Sequence, residues 1–151
     1  MSSQSTAVSS DLASFPLLAE LPEPDACTLA GAFEWLAVEP GRVLFREGDA
    51  ADALWLVLEG RVGLESSRSA RAGECGPGQA LGALSLVERG ARESSARTLS
   101  RCRLLRLHHS AYEHLVATAP GTACRLMEAI ARECAVSLRG ALAALEDAPV
   151  G

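Results

Sequence analysis

Residues 40–64, PGRVLFREGDAADALWLVLEGRVGL, determine the fold class of this 151-residue chain. Three short apolar segments begin in this stretch, at RVLF (42–45), ALWLVL (53–58) and VGLE (62–65), and turns rich in glycine and charged residues separate them. Short apolar segments at intervals of roughly 8–12 residues are typical of an antiparallel sandwich or roll. The stretch therefore predicts a mainly β domain.

The β pattern continues on both sides of this stretch. FEWLAV (33–38) alternates loosely, and SSARTLS together with RCRLLRLH (94–108) predicts one more hairpin. Residues 66–78, SSRSARAGECGPG, form a polar stretch between the strands.

Two short helices are predicted ahead of the strands. Asp11 can cap a helix in DLASFPLLAE (11–20), which Pro16 shortens or interrupts because proline has no N–H group. LPEPDACTLAGAF (21–33), with its prolines ahead of an apolar pattern, is consistent with a second helix.

The C-terminal part of the chain is predicted to be helical. Ser110 and Glu113 form a capping-box pattern at the start of AYEHLVATA (111–119). Pro120 breaks this helix, and a long helix follows over about residues 122–146.

The long helix has a wide apolar face. Its apolar residues recur at steps of four and three: Leu126, Ile130, Cys134, Leu138, Leu142 and Leu145. Arg125, Arg132 and Arg139 recur every seven residues on another face, and Glu128 precedes Arg132 in the favourable order for an ion pair. A face of this width predicts a helix that covers the β domain and also meets a partner helix.

The composition argues against a nucleic-acid-binding protein. The net charge is −5, and all 14 basic side chains are arginine. Because phosphate contacts dominate nucleic-acid affinity, an acidic chain of this size is a poor binder of DNA or RNA.

We expect a cytoplasmic protein without a membrane anchor. The first ten residues show no export signal, and no apolar run approaches the roughly 18 residues of a membrane span. The five cysteines are scattered without a C-x-x-C pair, so we expect reduced thiols and no metal site.

Residues 81–98, LGALSLVERGARESSART, predict a backbone cradle for a small anion. Gly82 lets the backbone approach a ligand and opens a short helix, ALSLVE, whose free N–H groups would face an anion. Arg92 offers a charged fork to a phosphate, and Ser94 or Ser95 offers a hydroxyl. The alternative is that Gly82 is an ordinary loop glycine and Arg92 a solvated side chain.

The order of these elements resembles the cyclic-nucleotide-binding domain family, of the catabolite activator and kinase regulatory subunit type. The matching stretches, with GD, EGRV, GPG and G-x-L-x-L in order, are residues 40–64, 76–98 and 107–120. The resemblance covers about residues 20–146. It implies a β-roll (jelly-roll) domain with flanking helices and a long C-terminal helix. The polar, small residues 1–10 predict a disordered tail, so we expect the domain over 11–147 and a second tail at 148–151.

The resemblance implies a site for a cyclic nucleotide, cAMP or cGMP, that acts as an effector. The residues that it assigns to this site are Gly82, Ala83, Leu84, Arg92, Ser94, Ser95 and Ser137. Ser137 lies on the long helix, near the position from which activator-type members reach the base with a hydroxyl. Its alternative role is that of an ordinary helix serine.

Two positions depart from the family pattern. Members usually place a glutamate after the glycine, where it binds the ribose hydroxyl, and this chain has Ala83 there. A lost sugar hydrogen bond costs on the order of 1–3 kcal/mol. Arg92 matches the arginine of the kinase-type spacing, whereas the longer activator-type spacing reaches Glu93, which would repel phosphate. In either register Glu93 is adjacent to Arg92 in sequence and can neutralise it.

Three functions stay open at this point. The first is a sensor that binds a cyclic nucleotide or related anion and signals through its long helix to a protein partner. The second is an interaction or scaffold module that kept the roll without the ligand. The third is a cupin-like enzyme or a haem sensor. His108, His109 and His114 cluster near one strand end and do not lie on facing strands, so we expect neither an enzyme nor a metal site.

The resemblance also implies a partner for the long helix. Relatives use this helix as a dimer seam, which predicts a homodimer; the alternative is a monomer whose helix packs entirely on its own roll. Transcriptional members continue into a helix-turn-helix domain, whereas this sequence ends at EDAPVG, so we expect no DNA recognition.

Overall fold

The computed structural model describes residues 12, 15–67, 69–82, 86 and 90–146. In chain order the described elements are α1 (Glu23–Ala32), β1 (Glu34–Val38), β2 (Val43–Phe45), β3 (Ala53–Glu59), β4 (Val62–Ser66), β5 (Ser69–Cys75), β6 (Ala80–Leu81), β7 (Ser95–Thr98), β8 (Cys102–His108), α2 (His109–Thr118) and α3 (Pro120–Glu146). The predicted Asp11 cap and the two predicted tails lie outside the described residues. Across the residues that are described, no helix is both long and apolar enough to cross a membrane.

Two four-stranded antiparallel sheets form a roll. Sheet A has the strand order β1–β8–β3–β6, and sheet B has the order β2–β7–β4–β5. The helices pack against sheet A, where their buried residues share one core with it. The predicted mainly β roll with flanking helices is therefore confirmed, as are the strands predicted within 33–65.

Strand β3 is buried on both faces, which explains why its sequence is apolar without alternation. Leu54 and Leu56 pack in the core that sheet A shares with the helices. Trp55 and Val57 pack in a second core, between the two sheets. Burial of such side chains stabilises the fold by roughly 1.5–3 kcal/mol each. The neighbouring strand β8 also contributes to the core that sheet A shares with the helices, through Leu105.

The predicted hairpin over residues 94–108 is wrong. β7 lies in sheet B between β2 and β4, whereas β8 lies in sheet A between β1 and β3. Residues 99–101 therefore cross from one sheet to the other and do not form a tight hairpin turn. Alternation of side chains marks each strand but carries no information on which strands are neighbours.

Residues 69–75, predicted to be part of a polar connection, form strand β5. β5 pairs antiparallel with β4 at the edge of sheet B, from Val62 opposite Cys75 to Ser66 opposite Ser69. Backbone hydrogen bonds along one side are sufficient to hold an edge strand, so a polar sequence does not exclude one.

The predicted capping box at Ser110 and Glu113 is also wrong. α2 begins at His109, and its N-cap His108 makes no side-chain capping hydrogen bond. The N–H group of His109 donates instead to the carbonyl oxygen of Asp52 at 2.7 Å. Because α2 continues directly from β8, the neighbouring strand end supplies the cap.

α3 begins at Pro120, slightly before the predicted start, since proline is well tolerated in the first turn of a helix. The ion pair predicted between Glu128 and Arg132 is replaced by another. Arg132 donates through Nη1 to Oε2 of Glu20 at 2.9 Å. The arginine thus ties α3 to the segment that precedes α1.

A buried carboxylate joins α1 to the first turns of α3. Asp25, which is 4% exposed, accepts hydrogen bonds from Thr122 Oγ1 at 2.7 Å and from Arg125 Nη2 at 2.9 Å. Arg125 Nε donates to its other oxygen. These bonds compensate the desolvation of the charge. The Arg125 guanidinium, and after it the Thr122 hydroxyl, lower the pKa of Asp25, although burial alone would raise it.

Only the first half of α3 packs against the roll. Leu126 and Ile130 are fully buried, and Cys134 is half-buried. Exposed apolar residues follow on the second half: Val136, Leu138, Leu142 and Leu145. The predicted wide apolar face therefore consists of a buried half and an uncovered half.

Gly60 connects β3 to β4 with a φ of +92°, a left-handed conformation that favours glycine. A Cβ atom at this position would lie 2.4 Å from the carbonyl oxygen of Arg101 and 2.7 Å from Sγ of Cys102. The turn therefore packs directly against the crossing between the sheets, with no room for a side chain.

We expect Gly60→Ala to lower the free energy of unfolding by more than Gly78→Ala does. Both glycines have φ near +90°, a strain of about 1–3 kcal/mol for alanine. At Gly78 no atom lies within 4 Å of the added methyl group, whereas at Gly60 it meets backbone. Parallel urea unfolding of the two variants measures the difference, and equal losses would contradict the close approach at Gly60.

Replacing Asp25 by asparagine should lower the free energy of unfolding at neutral pH by about 1.5–3 kcal/mol, because a charged hydrogen-bond acceptor is lost. The folded pKa of Asp25 is lowered, so its contribution is complete above the ordinary aspartate pKa of about 3.9. It disappears as the pH falls through the lowered value.

Denaturant unfolding at pH values of about 7, 5 and 2.5 tests this dependence. The difference between wild type and Asp25→Asn should be the same at the two higher values and should shrink only at the lowest. A difference that already shrinks between the two higher values would contradict the assignment. Glu20→Gln is the matched control. It removes the exposed carboxylate that pairs with Arg132, which lies on α3 like Arg125, and it should change the free energy of unfolding little.

Candidate functional site

Arg92 lies on a segment that the β2–β3 turn holds in place. Its N–H group donates to the carbonyl oxygen of Asp49 at 2.7 Å, and its own carbonyl oxygen accepts from Gly48 at 2.9 Å. Two residues before Arg92, the carbonyl oxygen of Gly90 accepts a hydrogen bond from the N–H group of Ala51 at 2.8 Å. These bonds fix the backbone from which the arginine side chain enters the roll.

The Arg92 side chain is buried against β2 and the start of β3. Its Nη2 donates to the carbonyl oxygen of Ala53 at 2.9 Å and lies 3.9 Å from Oδ1 of Asp52. Its Cζ atom lies 4.1 Å from the centre of the Phe45 ring. The side chain of Arg92 is 5% exposed, whereas that of Asp52 is 55% exposed. A buried cation is therefore paired with a carboxylate that solvent reaches.

Burial lowers the pKa of Arg92, and the negative charges of Asp52 and then Asp49 act in the opposite direction. An arginine stays protonated in proteins even so. The site consequently holds a permanent positive charge under a low-dielectric cover, where an anion is attracted more strongly than in water.

A second arginine lies on the neighbouring strand β8. Arg106 stands opposite Trp55 in the β3–β8 pairing, with its Cζ atom 5.1 Å from the ring centre. Its Nη2 donates to Oε2 of Glu34 at 2.6 Å, and His108 Nε2 lies 3.4 Å from the other oxygen. Because a carboxylate already binds Arg106 at hydrogen-bond distance, Arg92 is the better candidate for an anion site.

The structure describes five of the seven predicted site residues. Gly82 follows β6 with a φ of +70°, a left-handed value that suits a close backbone approach. Ala83 and Leu84 lie outside the described residues. Ser94, two residues after Arg92, is half-buried, and Ser137 is exposed on the second half of α3.

Ser95 has a partner within the protein. Its Oγ atom accepts a hydrogen bond from the N–H group of Glu47 at 2.8 Å. The carboxylate of Glu47 accepts in turn from the hydroxyl of Ser66 and the N–H group of Ser67. Ser95 therefore helps to connect the β2–β3 turn with sheet B, and it retains a hydroxyl proton to donate.

Glu93, which the sequence presents as the neighbour of Arg92, does not pair with it. Glu93 is exposed, and within the described residues the acidic partner of Arg92 is Asp52. Sequence reasoning missed Asp52, Ala53 and Phe45. The sequence feature that could have identified Asp52 was the GDAAD turn. To use it, one would have had to know that this turn hydrogen-bonds with residues 90–92.

Two of the three histidines lie beside carboxylates. His109 Nδ1 lies 3.3 Å from Glu113, one turn further along α2, and His108 faces Glu34. Within the described residues, no three His, Cys, Asp or Glu side chains are grouped so that they could hold a metal ion.

A family model of known proteins matches more than half of the chain. The family model of the cyclic nucleotide-binding domain matches residues 35–119, from β1 to the end of α2. The matched segment includes Gly82 and Arg92.

Two solved structures are similar in fold and in sequence. The N-terminal domain of a transcriptional regulator from Streptomyces coelicolor A3(2) is 30% identical with a TM-score of 0.73, over 84% of this chain and 94% of that chain. The regulatory domain of Toxoplasma gondii PKA, in a co-crystal with cAMP, is 26% identical with a TM-score of 0.65, over 76% of this chain and 45% of that chain.

A curated relative contains a similar segment within a much longer chain. Lysophospholipase nte1 of Aspergillus fumigatus is 32% identical over 105 residues, which make up 67% of this chain. They make up 7% of that protein, so the chain spans a small part of the length of this relative. The similarity concerns this segment and not the lysophospholipase as a whole.

Proposed function

Because the chain belongs to the cyclic nucleotide-binding domain family, we propose that it is a regulatory sensor domain for a cyclic nucleotide or a related phosphate-bearing anion. The observation that carries the proposal is the buried guanidinium of Arg92, whose acidic partner Asp52 is more than half exposed. Arginine binds phosphate in a two-pronged geometry, and a ligand that replaces the carboxylate keeps the buried charge compensated.

In this proposal the phosphate provides most of the affinity. Arg92 and the backbone at Gly82 bind it, with a hydroxyl from Ser94 or Ser95. Ala83 offers no acceptor to the ribose hydroxyl, which weakens binding by roughly tenfold or more compared with a site that has one. The relative from Toxoplasma gondii that was crystallised with cAMP supports cAMP as the first ligand to test, with cGMP second.

The signal passes through α3 in this proposal. Asp25 and Glu20 hold the first half of the helix to the N-terminal segment, while the second half is uncovered. Ligand binding would shift the helix between two positions, and Ser137 would contact the base from this half. We also propose that the protein is cytoplasmic and that it is not an enzyme.

We also propose that the second half of α3 forms the seam of a homodimer. Leu138, Leu142 and Leu145 are 61%, 51% and 72% exposed and follow one another at steps of four and three. This spacing is typical of a helix that packs against another helix. Pairing with a second copy would remove these side chains from water.

A ligand-free interaction module is the second candidate function. The observation that favours it is that Arg92 is already engaged, since it donates to Ala53 and stacks on Phe45. The alanine at position 83, which offers no side-chain acceptor to a ribose hydroxyl, also favours this function. In this case α3 would bind a protein partner, and no small molecule would affect the domain.

We expect cAMP or cGMP at millimolar concentration to raise the thermal unfolding midpoint of the wild type. A ligand that binds only the folded state adds ~2.7 kcal/mol of stability at about a hundred times its dissociation constant. Each protein is compared with its own ligand-free midpoint, followed by calorimetry. Arg92→Gln should abolish the shift, whereas Arg97→Gln, an exposed arginine on β7, should keep it. If no nucleotide shifts the wild type, the interaction module becomes the better function.

Sedimentation velocity tests the dimer seam. We expect the wild type to sediment as a dimer and the double variant Leu138→Glu, Leu142→Glu as a monomer, because burying added charges in an apolar seam is unfavourable. Leu99→Glu is the matched control. Leu99 is as exposed as Leu142 but lies in the connection between β7 and β8, away from α3 in sequence. A monomeric wild type, or a control that also dissociates, would refute the seam.

A further inference from the structure

We propose that Arg106 reads the base of the bound nucleotide and selects a guanine-type base over adenine. The inference rests on the proposed function, because it takes the phosphate to lie at Arg92 and Gly82. It adds the residue that determines which cyclic nucleotide the domain prefers.

Arg106 and the predicted phosphate cradle lie in one row across sheet A. Arg106 on β8 is opposite Trp55 on β3, and Trp55 is opposite Leu81 on β6. Gly82, which begins the cradle, directly follows Leu81. Because neighbouring strands are about 4.8 Å apart, the backbones of Arg106 and Leu81 are roughly 10 Å from each other. A nucleotide that is bound by its phosphate at Gly82 can therefore extend its base towards Arg106.

The Arg106 side chain lies on the inner face of the roll. Residues that are opposite each other in neighbouring strands share one face of a sheet, and Trp55 packs in the core between the two sheets. The Cζ atom of Arg106 lies 5.1 Å from the centre of the Trp55 ring. Arg92 reaches the same part of β3, where its Nη2 donates to the carbonyl oxygen of Ala53, two residues before Trp55. One nucleotide can therefore contact both arginines.

Arg106 is suited to a neutral acceptor and not to a second phosphate. Glu34 accepts from its Nη2 at 2.6 Å and compensates the positive charge. A guanidinium carries five N–H donors, and in the described part of the chain Nε of Arg106 is buried without a hydrogen-bond partner. A buried donor without a partner is unfavourable, so an acceptor that a ligand supplies would be stabilising. Glu34 does not have to leave for this contact to form.

Guanine matches the donors of Arg106 better than adenine does. O6 and N7 of guanine both accept hydrogen bonds, whereas adenine combines the acceptor N7 with the donor N6 amino group. Because arginine has no acceptor, the adenine amino group would face N–H groups to which it cannot bond. A two-pronged contact between arginine and guanine favours the right base by about 5- to 150-fold.

Arg103 provides a matched control on the same strand. Like Arg106, it pairs with a carboxylate, that of Glu59 at 2.8 Å, and its Cζ atom lies 4.7 Å from the centre of a tryptophan ring, that of Trp35. Trp35 is opposite Leu105, which packs on the helix side of sheet A. Arg103 therefore makes the same two kinds of contact on the other face of the sheet, away from the interior of the roll.

Calorimetric titration of the full chain with cGMP, cAMP and cyclic inosine monophosphate tests the inference. The inosine nucleotide keeps O6 and N7 but lacks the 2-amino group of guanine. We expect it to bind the wild type like cGMP, with both dissociation constants at least about fivefold below that of cAMP. Arg106→Lys keeps the positive charge but not the planar fork, so it should remove this preference, whereas Arg103→Lys should keep it.

The outcomes separate this inference from the proposed function. If the wild type binds cAMP as tightly as cGMP or more tightly, or if Arg106→Lys keeps the preference or Arg103→Lys also loses it, the inference is overturned and the sensor stands. Binding of cGMP without the inosine nucleotide would overturn it as well, because the amino group would then be the feature that is read. If none of the three nucleotides binds, the proposed function itself fails and this inference fails with it.

Discussion

Burial of β3 on both of its faces is the constraint on which the rest of the structure depends. Leu54 and Leu56 require the helices on one side, and Trp55 and Val57 require sheet B on the other. Neither core could form alone without exposing half of this strand to water, so helices and roll stabilise each other. The two ends of the same strand carry the remaining special features: Arg92 docks at its first residue, and the Gly60 turn follows its last.

The helical layer follows from this arrangement. α1 and the first half of α3 cover the leucines of sheet A, and the buried Asp25 network fixes their relative position. A buried charge of this kind is costly unless it is fully hydrogen-bonded, and its three bonds therefore select one packing of α1 on α3. The leucines of the second half of α3 are exposed, and none of them belongs to the cores formed by the described residues.

The sequence predicted what depends on local pattern and missed what depends on distant contacts. Apolar runs such as ALWLVL, glycine turns and the long helix all carry local signals, and each was found. The hairpin over 94–108 failed because neighbouring strands in sequence belong to different sheets. The capping box failed because the backbone of Asp52, a residue far from α2 in sequence, caps that helix. The candidate site shows the same division. Gly82 and Arg92 were predicted from their spacing, and adjacency in sequence pointed to Glu93 as the acidic neighbour of the arginine, whereas folding brings Asp52 to it.

The uncovered half of α3 extends well beyond the point at which the helix is held by the roll. From Ile130, the last fully buried residue of the helix, to Glu146 the helix extends about 24 Å at 1.5 Å per residue. A tilt of about 10° at that fulcrum moves the far end by roughly 4 Å, more than the length of a hydrogen bond. A small tilt at Ile130 would therefore be large enough at the far end of the helix to make or break contacts there.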